Sequence, residues 1–360
     1  MDRGRQDYTR RIVIAHFCTL HFLQTNISSK KNPNRKSIYS PFLNYFSVKL
    51  MERIASANIS QPEIQRSWNI ATIAKPPWAN YSHSGKLERL ILQLGQGKGK
   101  FSEITGIPRS IGCIGNNEFI LRREPLSVER IKEIIREFYF ANGRELYLTN
   151  YDSVEYLISV ARHAAAIGIK EVYAVVRIED IEKIIPEDDV RVIVELEYSK
   201  ENLKKLKELK WVHGALIMIE PEQYAEFIKS KPEFDGEVYV DLLYPGSLRH
   251  LKFNVIEVKR VHSATANKYH DCLAGTLTIT ADGYALPCPL LRNFIVGDAK
   301  RETVKQLRRK KRLKNFWKLT KDGIEECKLC PFKYLCHDCR ALEYQASGDI
   351  FGVEYCNLEF

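Results

Sequence analysis

Cys327-Lys328-Leu329-Cys330-Pro331-Phe332-Lys333-Tyr334-Leu335-Cys336-His337-Asp338-Cys339 sets four thiols into one short run. Cys272 and Cys288 precede it with Gly283 between them, and Cys356 follows, so seven of the nine cysteines fall in the C-terminal quarter. Thiolate sulfur is the preferred ligand of iron–sulfur clusters and of structural zinc. Each such site needs three or four thiolates brought together by short, sharply turned segments. The spacing therefore predicts an inorganic cofactor. Gly283, free to adopt positive φ, and Pro287, fixed in φ, fit a turn that presents Cys288.

Two other uses of these thiols stand beside that one. A structural zinc held by Cys327, Cys330, Cys336 and Cys339 is the alternative cofactor, although paired zinc knuckles are usually more than five residues apart. Disulfides fit less well, because seven crowded cysteines in a chain without a convincing secretory signal make a poor covalent scaffold. Cys18 and Cys113 are remote in sequence and read as ordinary buried thiols.

The order Cys272-x10-Gly283-x4-Cys288, gap, Cys327-x2-Cys330-x5-Cys336-x2-Cys339, gap, Cys356 resembles the SPASM domain, the auxiliary-cluster module of many radical SAM peptide-modifying enzymes. It departs from the family pattern in one interval: two residues, His337 and Asp338, separate the last pair where the pattern has three. The resemblance implies two 4Fe-4S clusters, one on Cys327, Cys330, Cys336 and Cys356, the other on Cys272, Cys288 and Cys339. The upstream cysteine that gives some relatives a fourth ligand is missing from 261–271. That second site is therefore expected to be open, or closed by a non-cysteine ligand such as His270.

The stretch Asn315-Phe316-Trp317-Lys318-Leu319-Thr320-Lys321-Asp322 ahead of the cysteine run looks like the SPASM-domain peptide maturases of grasp-with-spasm systems. By that resemblance the partners are a small precursor peptide and an ATP-grasp ligase. The resemblance is close over residues 270–358, architectural over 110–260, and does not reach the first hundred.

Upstream, short apolar runs at 145–149, 172–177, 190–197, 214–219 and 237–242 read as buried strands. Helical stretches at 153–167, 178–185, 201–209 and 222–229 alternate with them. A further helix at 128–140 carries Ile131, Ile134, Ile135 and Phe138 on one face. Such alternation predicts parallel strands with right-handed crossovers, hence an α/β fold: a degenerate radical-SAM-like partial barrel followed by a small cysteine-rich SPASM domain. The expected divisions are a poorly defined segment 1–100, the α/β domain 101–260 and the iron–sulfur domain 261–360.

A working radical SAM enzyme needs a Cx3Cx2C triad, and Cys18 and Cys113 are the sole cysteines before Cys272. The first strand end, Leu148-Thr149-Asn150-Tyr151-Asp152, also lacks the Gly-Gly-Glu stretch of that family. No S-adenosylmethionine-binding residues are thus expected, and catalytic residues are unassigned. Glu195, Glu197, Glu220 and Asp241 sit near strand ends, where solvated or capping carboxylates are common. His262 and His270 read as surface histidines.

Charge is uneven in this 360-residue chain of formal charge +10. Residues 300–318 carry ten Lys or Arg and one Glu, and residues 1–60 ten basic and three acidic side chains, so the rest is acidic. The run 305–318 reads as a helix with a broad basic face, with solvated surface charge the default meaning. Nucleic acid is not an expected partner, because no stacking module accompanies the basic run. The absence of a long apolar stretch argues against a membrane span. The apolar run 12–23 is broken by His16 and His21 and lacks a cleavage site, so a cytoplasmic protein is expected. Residues 24–100 read as loop-rich, and Gly97-Lys98-Gly99-Lys100 has neither the spacing nor the preceding strand of a phosphate loop.

Overall fold

Alternating residues of five neighbouring strands face opposite ways, and the side chains sort accordingly into two apolar layers. On one side Leu146 and Leu148, Val172, Ala174 and Val176, Val192, Val194 and Leu196, and Ala215 and Ile217 pack under helices. On the other side Tyr147, Tyr173, Val175, Ile193, Leu216 and Tyr239 form a separate cluster with Trp78 and Ile114. A period of two with both faces buried is the signature of a parallel sheet in an α/β protein.

The computed structural model describes residues 68–69, 78, 82–106, 113–230, 233–242, 264–335, 339–354 and 356. These all fall in one compact unit, Asn58–Phe360. The strands are β1 Trp68–Asn69, β2 Arg89–Gln93, β3 Gly97–Lys98, β4 Glu118–Phe119, β5 Glu145–Thr149, β6 Glu171–Arg177, β7 Arg191–Glu197, β8 Gly214–Ile219, β9 Glu237–Leu242, β10 Thr276–Ile279, β11 Tyr284–Leu286 and β12 Gly297–Asp298. Ten of them form one sheet in the order β1-β9-β8-β7-β6-β5-β2-β10-β11-β12, and β3 pairs with β4 separately. From β1 to β10 every pairing is parallel; β11 and β12 add antiparallel strands at the edge. The fold class read from the sequence is therefore the one observed, a mixed α/β structure with a largely parallel sheet. The sheet also runs across residue 260, because β10 pairs with β2 from Thr276↔Arg89 to Ile279↔Leu92.

The helices are α1 Lys100–Thr105, α2 Val128–Phe140, α3 Val154–Ile167, α4 Lys200–Glu208, α5 Pro221–Ser230, α6 Val304–Leu307, α7 Lys311–Trp317 and α8 Arg340–Ser347. Ser127, Ser153 and Ser199 cap α2, α3 and α4 by accepting from backbone N–H groups one turn on, which satisfies donors the helix cannot pair itself.

Three expectations need correction. The stretch 178–185 is a 3₁₀ turn, Ile178–Lys183, that ends at the extended Ile184; Pro186 disfavours helix at the residue before it and the crossover is short. The basic run is not one helix but α6 and α7, with Lys310 extended between them (ψ 128°). Leu307, Leu313 and Trp317 are all buried, and a single straight helix does not aim both segments at the core. Lastly, β2 lies inside the region read as loop-rich, yet all five of its residues are buried. A strand thus does precede Gly97-Lys98-Gly99-Lys100, although the spacing still excludes a phosphate loop. Residues 12–23, Cys18, His262 and Cys336 lie outside the described residues.

Candidate metal centre

Cys272 is placed by a set of long-range bonds. Trp78 donates its indole N–H to the Cys272 carbonyl at 2.8 Å, and the His83 ring meets the Asp271 carbonyl at 3.0 Å. The His270 ring nitrogen Nδ1 accepts from the backbone N–H of Cys272 at 3.0 Å and of Leu273 at 3.2 Å. Trp317 ties the same turn to the sheet through its indole N–H on the Thr276 carbonyl, and its own carbonyl accepts from His270 N–H, both at 2.8 Å. His270 is 3% exposed, so the expectation of a surface histidine is overturned. Its ring orders the cysteine turn because a buried N–H needs an acceptor.

Cys288 follows the β10–β11 turn, in which Gly283 has φ +86°, the positive value expected of it. The Cys288 thiol is buried, and Leu290 N–H points at its sulfur at 3.4 Å. Burial pushes this thiol up to about 11, against the pull of the Leu290 and Leu291 N–H groups. Cys339 is the residue before α8, its carbonyl accepting from Leu342 and Glu343 N–H. A thiolate there lies at the positive end of a helix dipole.

These three thiols line one partly open cavity of about 370 Å³, counting its mouth, together with Trp78, His270 and Cys113. Cys113, read from the sequence as remote from the other cysteines, thus lies beside three of them. It is half-buried on the inner side of the sheet, and burial, then Cys288, Cys339 and Cys272, raise its thiol well above the ordinary value. Separation along the chain said nothing of separation in space, because 113–117 crosses the inner face of the sheet to reach the cavity. A Cβ on Gly115 would meet Val175 Cγ1 at 2.7 Å and Glu195 Oε2 at 2.9 Å, so glycine is what lets the backbone lie this close.

Beside it, Asn116 donates from its backbone to Glu195 Oε2 at 2.6 Å and from its side chain to Asp241 Oδ2 at 2.7 Å. Tyr151 donates to Glu195 at 3.3 Å. Both carboxyls are buried. Burial raises Glu195 to about 7 despite the Asn116 and Tyr151 bonds, and raises Asp241 to about 6. Of the four strand-end carboxylates named from sequence, these two face inward, whereas Glu197 and Glu220 are exposed.

The remaining cysteines are placed separately. Cys327 ends a 3₁₀ turn and its carbonyl accepts from Cys330 N–H at 3.2 Å, so this pair occupies one turn. Cys356 is exposed. None of the three lines the cavity of Cys272. Among the described residues, no three His, Cys, Asp or Glu side chains are grouped as a single metal ion would require. A tetrahedral zinc with bonds of about 2.3 Å draws its sulfurs to within about 4 Å of one another. In a cluster each thiolate takes its own iron, and the cysteines that line the cavity are soft donors of the kind that group takes.

Fold and site together define an α/β protein with a thiol-lined centre at the edge where its parallel sheet meets a cysteine-rich segment. Residues 272–331 match the model of SPASM, an iron–sulfur cluster-binding domain, so the chain carries such a domain. That match takes in Cys272, Cys288, Cys327 and Cys330. No curated protein matches the sequence. Among solved structures, the anaerobic sulfatase-maturating enzyme anSMEcpe with bound AdoMet is similar at 14% identity over 73% of this chain and 92% of that one, with a TM-score of 0.44. The same enzyme with AdoMet and the Kp18Cys peptide gives 14% identity over 74% and 94%, with a TM-score of 0.47.

Proposed function

We propose that this is a cytoplasmic iron–sulfur protein that takes part in maturing a ribosomally made peptide, without S-adenosylmethionine radical chemistry. The course of residues 113–117 carries the second half of that reading. Ligands of parallel α/β folds gather at the carboxyl ends of the strands, and here that ground is taken by the chain itself. A nucleoside-sized ligand bound there would displace Ile114 from the apolar cluster and strip the Asn116 donors from Glu195 and Asp241, two carboxyls already buried. Asp241 would lose its Asn116 donor and Glu195 would keep its Tyr151 bond, and a buried polar group left without its partner costs about 1–3 kcal/mol.

The thiols support the first half. Cys272, Cys288 and Cys339 would hold one cluster, and Cys327, Cys330, Cys336 and Cys356 a second. Bound clusters supply one-electron transfer and a rigid anchor at this end of the sheet. The chain contributes the Leu290 N–H to a ligating sulfur, the helix start at Cys339, and the indole and imidazole bonds that fix the Cys272 turn. The match of residues 272–331 to an iron–sulfur cluster-binding domain favours clusters over zinc. A small precursor peptide and a partner ligase are the proposed partners, on the strength of the sequence resemblance.

Calorimetric titration with S-adenosylmethionine, followed by assay for 5′-deoxyadenosine after reduction, tests the radical half. Neither saturable binding nor cleavage is expected, and either one overturns it. Incubating a neighbouring precursor peptide with the reduced protein and its ligase tests maturation. A change in peptide mass that needs this chain supports the reading. Unchanged peptide with tight ligase binding replaces it with a partner-recruiting scaffold.

A further inference from the structure

Sequence spacing leaves the Cys272, Cys288 and Cys339 site one thiolate short, with an open position or His270 to complete it. The structure supplies a different group. Cys113 lines the same cavity as those three cysteines and is close enough for all three to act on its thiol; it comes from the 113–117 segment, whereas the others come from the cysteine-rich region. Four thiols around one cavity match the number that the four irons of a 4Fe-4S cluster take.

His270 is held for another task. With Nδ1 accepting two backbone N–H groups, a neutral ring carries its proton on Nε2, and neither nitrogen keeps a lone pair for a metal. The other lining groups include Trp78, Ile91, Leu273, Pro287 and Pro289, which offer no soft donor.

We propose that Cys113 is the fourth ligand of the cluster held by Cys272, Cys288 and Cys339, so that this cluster is closed by a residue of the α/β region. The inference rests on the reading of the cavity as a cluster site, not on peptide maturation. It also gives the inner segment a second fastening. Asn116 bonds Glu195 and Asp241 at one end, and the Cys113 sulfur would bond iron at the other.

The test uses the full chain purified without oxygen, wild type and Cys113→Ala, with electron paramagnetic resonance of the reduced protein before and after adding cyanide, a small ligand for an open iron. Wild type is expected to show no cyanide-dependent shift and no strong nitrogen coupling in pulsed spectra. The variant is expected to gain a cyanide-dependent shift and to convert to the three-iron form in air. A cyanide shift in wild type means an open site, nitrogen coupling means a histidine ligand, and a variant identical to wild type means that Cys113 is not bound; each overturns the proposal. Where Cys113→Ala does not fold, the two wild-type measurements still decide it. Wild-type protein lacking iron and sulfide defeats the cluster reading itself, a failure distinct from that of Cys113 alone.

Discussion

The Cys327–Cys330 turn and the Cys272 cavity bring thiols together by opposite routes. In the turn two cysteines are separated by two residues and one backbone bond sets their relation. In the cavity Cys272, Cys288 and Cys339 come from a capped turn, a post-hairpin turn and a helix start, and Cys113 from a segment lying against the inner face of the sheet. Local closure is cheap in chain entropy, whereas assembling distant segments depends on a folded sheet to hold them. A turn of the first kind can form in isolation, but the cavity exists only once β2, β5 and β10 are paired.

Removing single thiols breaks the comparison most directly. Cys288→Ala and Cys327→Ala are each expected to lower iron and sulfide by about half, from a total of about eight irons for two clusters, and to remove different signals from the reduced spectrum. If both variants lose the same signal, the two groupings serve one centre. If wild-type protein holds zinc and no sulfide, the cluster reading fails for both.

A smaller effect, on stability, separates the cavity from the turn. Trp78 is 2% exposed, backs the cavity, stacks with Arg89 and bonds the Cys272 carbonyl. Trp78→Ala is expected to cost about 3–5 kcal/mol, the usual range for emptying a buried aromatic site, read from denaturant unfolding without oxygen. It should also loosen the cavity cluster, seen as faster iron release to a chelator, before the cluster of the turn. Equal release from both would show that Trp78 does not single out the cavity.

The inner face can be tested through pH. Glu195 and Asp241 have folded values of about 7 and 6 against ordinary values of 4.5 and 3.8. The folded protein therefore holds these protons more tightly than the unfolded chain. Sign follows directly: their contribution is most favourable at low pH and is lost as pH rises from about 4 to about 7. For Glu195 alone the loss is roughly 3 kcal/mol. Glu195→Gln should flatten the melting temperature between pH 5 and pH 8, and a variant with the wild-type slope would show that Glu195 does not titrate in this window.

Much of the fold was legible because burial on both faces leaves a local trace. Strands β5, β8 and β9 match the apolar runs residue for residue, and β6 and β7 differ from them by one residue at the start. Of the interior strands missed, which include Thr276–Ile279, Arg89–Gln93 carries Leu90-Ile91-Leu92 between polar ends, a run too short to stand out from a region rich in turn residues. Its Arg89 is buried on Glu145 at 3.2 Å and on the Ala274 carbonyl at 2.9 Å, a satisfaction that no sequence pattern announces. The site divides in the same way. Gly283 and the seven clustered cysteines could be named from spacing, but Trp78 and Cys113 carried no signal beyond their identity.

The sequence by itself determined the fold class and the thiol chemistry, because side-chain period and cysteine spacing act over a few residues and are written in order along the chain. Tertiary structure alone decided that Cys113 shares a cavity with Cys272, Cys288 and Cys339, that His270 orders a turn, and that 113–117 lies against the inner face of the sheet. Those outcomes depend on which strands become neighbours and on what then fits between them, through packing and hydrogen-bond satisfaction among residues far apart in the chain.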